Sequence, residues 1–89
     1  MLQITYTPHF FRQFQKLSKD FGLEVLEKIE LLKEKKNHKL LKVHKLKGIL
    51  AYRYSFSVSY SYRIIFTYNP KNKNEVLLHA IGDHDVYKE

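Results

Sequence analysis

The sequence predicts an α+β domain in the order β-α-α-β-β-β, a two-helix hairpin packed on a mainly antiparallel four-stranded sheet. Three observations predict it. Apolar residues between positions 8 and 36 recur at three- and four-residue spacing, the period of a helix with one buried stripe. From position 52 onward they alternate with polar residues, the period of a strand. The segments between the later strands are too short for crossovers, so those strands are expected to be antiparallel. Helices on one face of such a sheet make a layered domain.

Leu2 to Tyr6 alternates apolar and polar side chains and reads as a short strand. Thr7-Pro8 follows, a good N-cap and a residue tolerated at the first helical position. A first helix is expected from about Pro8 to Lys19, with Phe10, Phe11, Phe14 and Leu17 as its stripe. Asp20-Phe21-Gly22 interrupts the pattern, and a second helix is expected from about Leu23 to Lys36, with Val25, Leu26, Ile29 and Leu32 facing inward. So short a connection makes an antiparallel hairpin. Asn37 to Gly48 reads as a basic loop whose interleaved Leu40, Leu41, Val43 and Leu46 anchor it to the body.

Three strands are expected after the loop: Tyr52 to Tyr60, Tyr62 to Tyr68 and Val76 to Ile81. In the first, Tyr52, Tyr54, Phe56, Val58 and Tyr60 share a face. In the second, Tyr62, Ile64, Phe66 and Tyr68 do so, and in the third Val76, Leu78 and Ala80. Asn69 to Asn74 is a polar turn, and Asp83 to Glu89 a short tail after Gly82.

The 89 residues suffice for one domain spanning 1–89. With no cysteine, the chain has no disulfide framework, no thiolate metal site and no cysteine nucleophile, which fits a reducing cytoplasm. No apolar run approaches the roughly 20 residues that span a membrane, and the first residues lack a secretory pattern. Sixteen Lys and Arg against nine Asp and Glu leave a net charge of +7. A domain this basic meets a polyanion: nucleic acid, the ribosome or an acidic protein.

Three segments, in order, resemble the RelE/ParE toxin superfamily: the basic loop His44-Lys45-Leu46-Lys47-Gly48, the strand Tyr62-Arg63-Ile64-Ile65-Phe66, and the ending Ile81-Gly82-Asp83-His84-Asp85-Val86-Tyr87. The branches it looks most like are the YafQ and YoeB mRNA interferases. The resemblance implies a type II toxin–antitoxin toxin: a metal-independent endoribonuclease, without cofactor, that cuts mRNA on the ribosome and is held inactive by an acidic antitoxin. It also implies roles. His44 would be the general base, His84 the general acid, Arg63 the contact to the scissile phosphate, and Tyr87 a terminal aromatic that orients or stacks on substrate.

The chemistry of these side chains fits. An imidazole titrates near neutral pH. Lys42, Lys45 and Lys47 favour the neutral, proton-accepting form of His44, and Asp83 and Asp85 the protonated form of His84. A guanidinium donates two parallel hydrogen bonds to a phosphate. Lys45, Lys47 and Arg53 are expected phosphate contacts that position without specifying. His79, Asp83, His84 and Asp85 include no helix-spaced histidine pair, and no metal site is expected. Two other readings share the fold: a ParE-like DNA gyrase inhibitor, and a non-catalytic basic module that binds RNA or a partner.

Overall fold

In the computed structural model, residues 1–48, 52–83 and 86 are described. The elements are β1 (Gln3–Tyr6), α1 (Pro8–Gln15), α2 (Lys19–Leu32), a 3-10 turn (Lys35–Asn37), β2 (His44–Lys45), β3 (Tyr54–Ser57), β4 (Arg63–Asn69) and β5 (Asn72–Gly82). The strands form one five-stranded sheet in the order β1-β5-β4-β3-β2. Neighbours from β2 to β5 pair antiparallel, as expected for β3 to β5, and β1 lies parallel to β5. The sheet has one strand more than expected because the basic loop adds His44–Lys45 to its edge.

Thr7 sets the start of α1 and ties it to the sheet. Its hydroxyl accepts from the Phe10 amide and donates to the Leu78 carbonyl, at 3.3 and 2.7 Å. The break between the helices falls at Lys16 to Ser18, not at Asp20-Phe21-Gly22. The Ser18 hydroxyl caps α2 by accepting from the Phe21 amide at 3.2 Å, and Asp20 lies in the first turn, where the helix dipole favours a carboxylate. Gly22 is simply helical, its N–H bonded to the Ser18 carbonyl at 2.8 Å. At the far end α2 stops at Leu32 rather than Lys36. The Asn37 amide donates to the Leu31 carbonyl and the His38 ring to that of Leu32, at 3.0 and 2.8 Å. These side chains satisfy carbonyls that a helix end leaves open.

The helices cover one face of the sheet. Phe10, Val25, Ile29 and Leu32 meet Phe56, Ile64, Phe66, Val76 and Leu78 in the main core. Phe11 and Leu26, expected on the buried stripes, are instead 47% and 38% exposed, each a helical step of about 100° past a buried neighbour. Tyr54, Phe56, Phe66 and Tyr68 form edge-on and stacked pairs with ring centres 5.0–5.8 Å apart. Tyr52 and Tyr60, placed on the same face by strict alternation, are 63% and 99% exposed. The β3 pairing ends at Ser57, because reversing the chain into β4 needs the turn Val58 to Tyr62.

The strand β5 departs from alternation too. Phe66 pairs with Leu78, but Ile65 pairs with Ala80, so His79 is an extra residue, a β-bulge. Val76, Leu78 and Ile81 therefore face the main core, while Ala80 turns to the other side and joins Ile65 and Val86 in a second cluster. Beyond Tyr6, where β1 ends, the Ile81 amide on the sheet edge donates to the Gln13 side-chain carbonyl at 2.8 Å. No helix of the described residues is long and apolar enough to cross a membrane.

Candidate functional site

The sheet face away from the helices carries the chemistry. Pairing and alternation place its rows. His44, Ser55, Ile65 and Ala80 share one, and Ser57, Arg63 and Gly82 the next. Arg53, immediately before β3, belongs to the same face by alternation with Ser55. Along β3, His44 is thus opposite the midpoint of a line from Arg53 to the partner of Arg63.

His44 is exposed on the edge strand, and its Nδ1 lies 2.9 Å from the Lys42 carbonyl. A carbonyl can only accept, so Nδ1 carries the proton and Nε2 of the neutral ring holds the free lone pair. Lys42 has φ +57°, the left-handed conformation that non-glycine residues adopt rarely. The unusual backbone at Lys42 thus accompanies the contact that orients the imidazole.

Arg63 is half-buried, and its Nη1 donates to the carbonyls of Ser59, Tyr60 and Tyr62 at 2.9, 3.2 and 3.0 Å. Beside the phosphate contact expected of it, Arg63 has a structural task. The guanidinium clamps the β3–β4 turn through one nitrogen, which leaves its other edge outside those three bonds. It borders a hollow of about 690 Å³ between α2, which contributes Glu27, Lys28 and Leu31, and the β3–β4 turn, which contributes Ser57 and Ser59.

A second hollow, of about 590 Å³, opens where α1 begins and is lined by Thr7, Pro8, His9, Arg53, His79 and Ala80. The Arg53 guanidinium carbon sits 5.3 Å from the centre of the Tyr52 ring, and its Nε is buried without a hydrogen-bond partner among the described residues. The His79 Nε2 and the Thr67 hydroxyl are 2.7 Å apart. Burial, and then the nearby Arg53 charge, hold the His79 imidazole below its usual pKa. His79 had no role in the sequence reading. The signal available there was a lone histidine interrupting an apolar strand.

The other expected site residues are placed as follows. Lys45 pairs with Tyr54, a residue that packs on the main core, so Lys45 stands on the opposite side of the sheet from His44. Lys47 is exposed, next to Gly48, whose φ of +73° suits glycine. His84 and Tyr87 lie outside the described residues. Their described neighbour Val86 is buried against Ile65 and Ala80, on the sheet face away from the helices. Among the described residues no group of three His, Cys, Asp or Glu could hold a metal ion.

A helical hairpin on one face of a β1-β5-β4-β3-β2 sheet, with His44, Arg53 and Arg63 around the apolar patch of Ile65, Ala80 and Val86 on the other, is the fold of the RelE/ParE-type toxins. The particular likenesses are to solved toxins. The YoeB–YefM complex from Staphylococcus aureus matches with a TM-score of 0.71 and 22% identity, over 94% of this chain and 98% of that one. The archaeal RelE–RelB complex from Pyrococcus horikoshii OT3 matches with 0.71 and 20%, over 92% and 93%. The YoeB/ParE toxin from Agrobacterium tumefaciens matches with 0.72 and 15%, over 93% and 99%. No family model and no curated protein matches the chain.

Proposed function

We propose that this chain is the toxin of a type II toxin–antitoxin system, an endoribonuclease that cuts mRNA on the ribosome in the cytoplasm and so stops translation. The observation that carries the reading is His44, exposed on the sheet edge, whose ring is oriented with Nε2 as the proton-accepting nitrogen in a row between those of Arg53 and Arg63. In this mechanism Nε2 removes the proton of a ribose 2′-OH, and the 2′-oxygen attacks the adjacent phosphorus. The uncommitted edge of Arg63 neutralises the charge that grows on the phosphorane. His84 protonates the departing 5′-oxygen, and Tyr87 orients the substrate. The products are a 2′,3′-cyclic phosphate and a 5′-hydroxyl, and no cofactor takes part. Lys45, Lys47 and Arg53 hold mRNA and ribosomal phosphates.

The partner is an acidic antitoxin. The net charge of +7 supports this, as do neighbours solved as toxin–antitoxin complexes, among them RelBE2 from Mycobacterium tuberculosis. A second reading draws on Arg63. A guanidinium spent on a turn suits a ParE-like gyrase inhibitor, or a binding module that cuts nothing. Primer extension on programmed ribosomes decides between them. Cuts in the A-site codon that disappear in His44→Ala support the nuclease. Intact mRNA with DNA breaks on expression selects the gyrase reading, and neither kind of break selects the binding module.

A further inference from the structure

We propose that the hollow lined by His9, Arg53 and His79 is a second anion site, which seats a phosphate of the bound RNA strand other than the one being cleaved. The inference rests on the RNA-cleaving reading for its ligand, but the site itself is argued from local chemistry. None of the six residues that line the hollow is acidic, and three of them carry nitrogen donors on their side chains. The Arg53 Nε is a buried donor without an acceptor among the described residues, an arrangement that is costly unless a ligand or a small swing of the side chain satisfies it. Stacking against Tyr52 limits that swing and keeps the guanidinium at the mouth of the hollow.

Alternation from Leu78 turns His79 away from the main core, and it sits at the β-bulge of β5, a feature common beside functional sites. The contact to Thr67 fixes one ring nitrogen. In the empty hollow, burial and the Arg53 charge disfavour a proton on His79, and an anion between the two would reverse that preference. His9 contributes from the first turn of α1.

The spacing assigns the site to a different phosphate. Arg53 precedes by four residues the Ser57 that pairs with Arg63, about 13 Å at strand rise. His44 stands opposite Ser55, between them. An RNA strand held at Arg63 and passing the exposed edge at His44 would thus reach Arg53 with a further phosphate along the strand.

The test uses the full chain, isotope-labelled for NMR. It is titrated first with inorganic phosphate and then with a 2′-O-methyl tetranucleotide, which cannot be cut because it has no free 2′-OH. The Arg53 Nε–H signal and the His79 and His9 ring signals are expected to move together and saturate. The oligonucleotide should bind about tenfold more tightly than phosphate, since it engages several cations. Arg53→Lys and the exposed His9→Gln should each weaken both ligands about threefold or more. Unsaturated shifts spread over the surface lysines overturn the site, as does silence at Arg53 and His79. A phosphate response without an oligonucleotide response overturns the RNA assignment. His44→Ala should abolish mRNA cuts while leaving the phosphate response intact, so failure of the nuclease reading and failure of the hollow are read separately.

Discussion

Val86 is the most direct handle on the sheet face away from the helices. It is 3% exposed, packs on Ile65 and Ala80, and donates its amide to the Asp83 carbonyl at 3.0 Å. A Cβ placed on Gly82 would lie 3.3 Å from the Val86 Cβ, so the two positions already touch. Val86→Ala removes two methyl groups from this contact, about 1.6 kcal/mol at ~0.8 kcal/mol per buried carbon. The cluster is small and separate from the main core, so the loss is expected as local opening rather than global unfolding. A change of about 1.6 kcal/mol corresponds to about 15-fold faster exchange of the residue 86 amide, at 1.36 kcal/mol per factor of ten. Amide hydrogen exchange by NMR measures it, with protection in β4 and β5 as the reference. The proposed acid His84 lies between Gly82 and Val86 in the chain, so mRNA cleavage should fall in the same variant. Exchange at residue 86 within about twofold of the parent would refute the docking argument. So would an equal loss of protection throughout β4 and β5.

Three further outcomes are expected. His44→Ala should slow cleavage about 10²- to 10⁴-fold, the usual worth of a general base, with an unchanged melting temperature because His44 is exposed; a time course of primer extension measures it. Arg63→Ala should cost about 1–2 kcal/mol in urea unfolding through loss of the turn clamp. Arg63→Lys should recover part of that stability but not cleavage, and an unchanged urea midpoint in the alanine variant would remove the clamp from the account. His79 and Glu75 should both make stability fall in acid. His79 resists a proton that the unfolded chain accepts, so stability declines as pH drops below the ordinary value of 6.5 toward the lower folded value. Glu75, held below the ordinary carboxylate value of 4.5 by hydrogen bonds from Thr5 and Asn69, loses its contribution as pH falls further through its own folded value. Urea midpoints across pH should flatten in the upper window for His79→Asn and in the lower one for Glu75→Gln.

Local pattern carried much of the fold. Thr7-Pro8 marked the first helix because a cap is satisfied within a few residues. Ser18 was the weaker signal, hidden because Asp20-Phe21-Gly22 looks like a break while Gly22 is tolerated in the helix. The candidate site was half legible. His44, Arg53 and Arg63 stood out as polar residues in an alternating or interleaved pattern. Lys45 looked like a partner of His44 until two residues of strand placed it on the other face.

By itself the sequence determined the two helices and four of the strands in order, most of the inward residues of both helices and the cationic character of the chain. These follow from spacing and charge, which act over a few residues or need no geometry at all. Only the tertiary structure decided that β1 runs beside β5, that the basic loop supplies a fifth strand and that Arg63 turns back onto its own hairpin. It also decided the bulge in β5 that keeps Ile81 in the main core and turns Ala80 to the other face. Each of these joins residues through the packing of strands on one another, where a single extra residue reverses which face a side chain occupies.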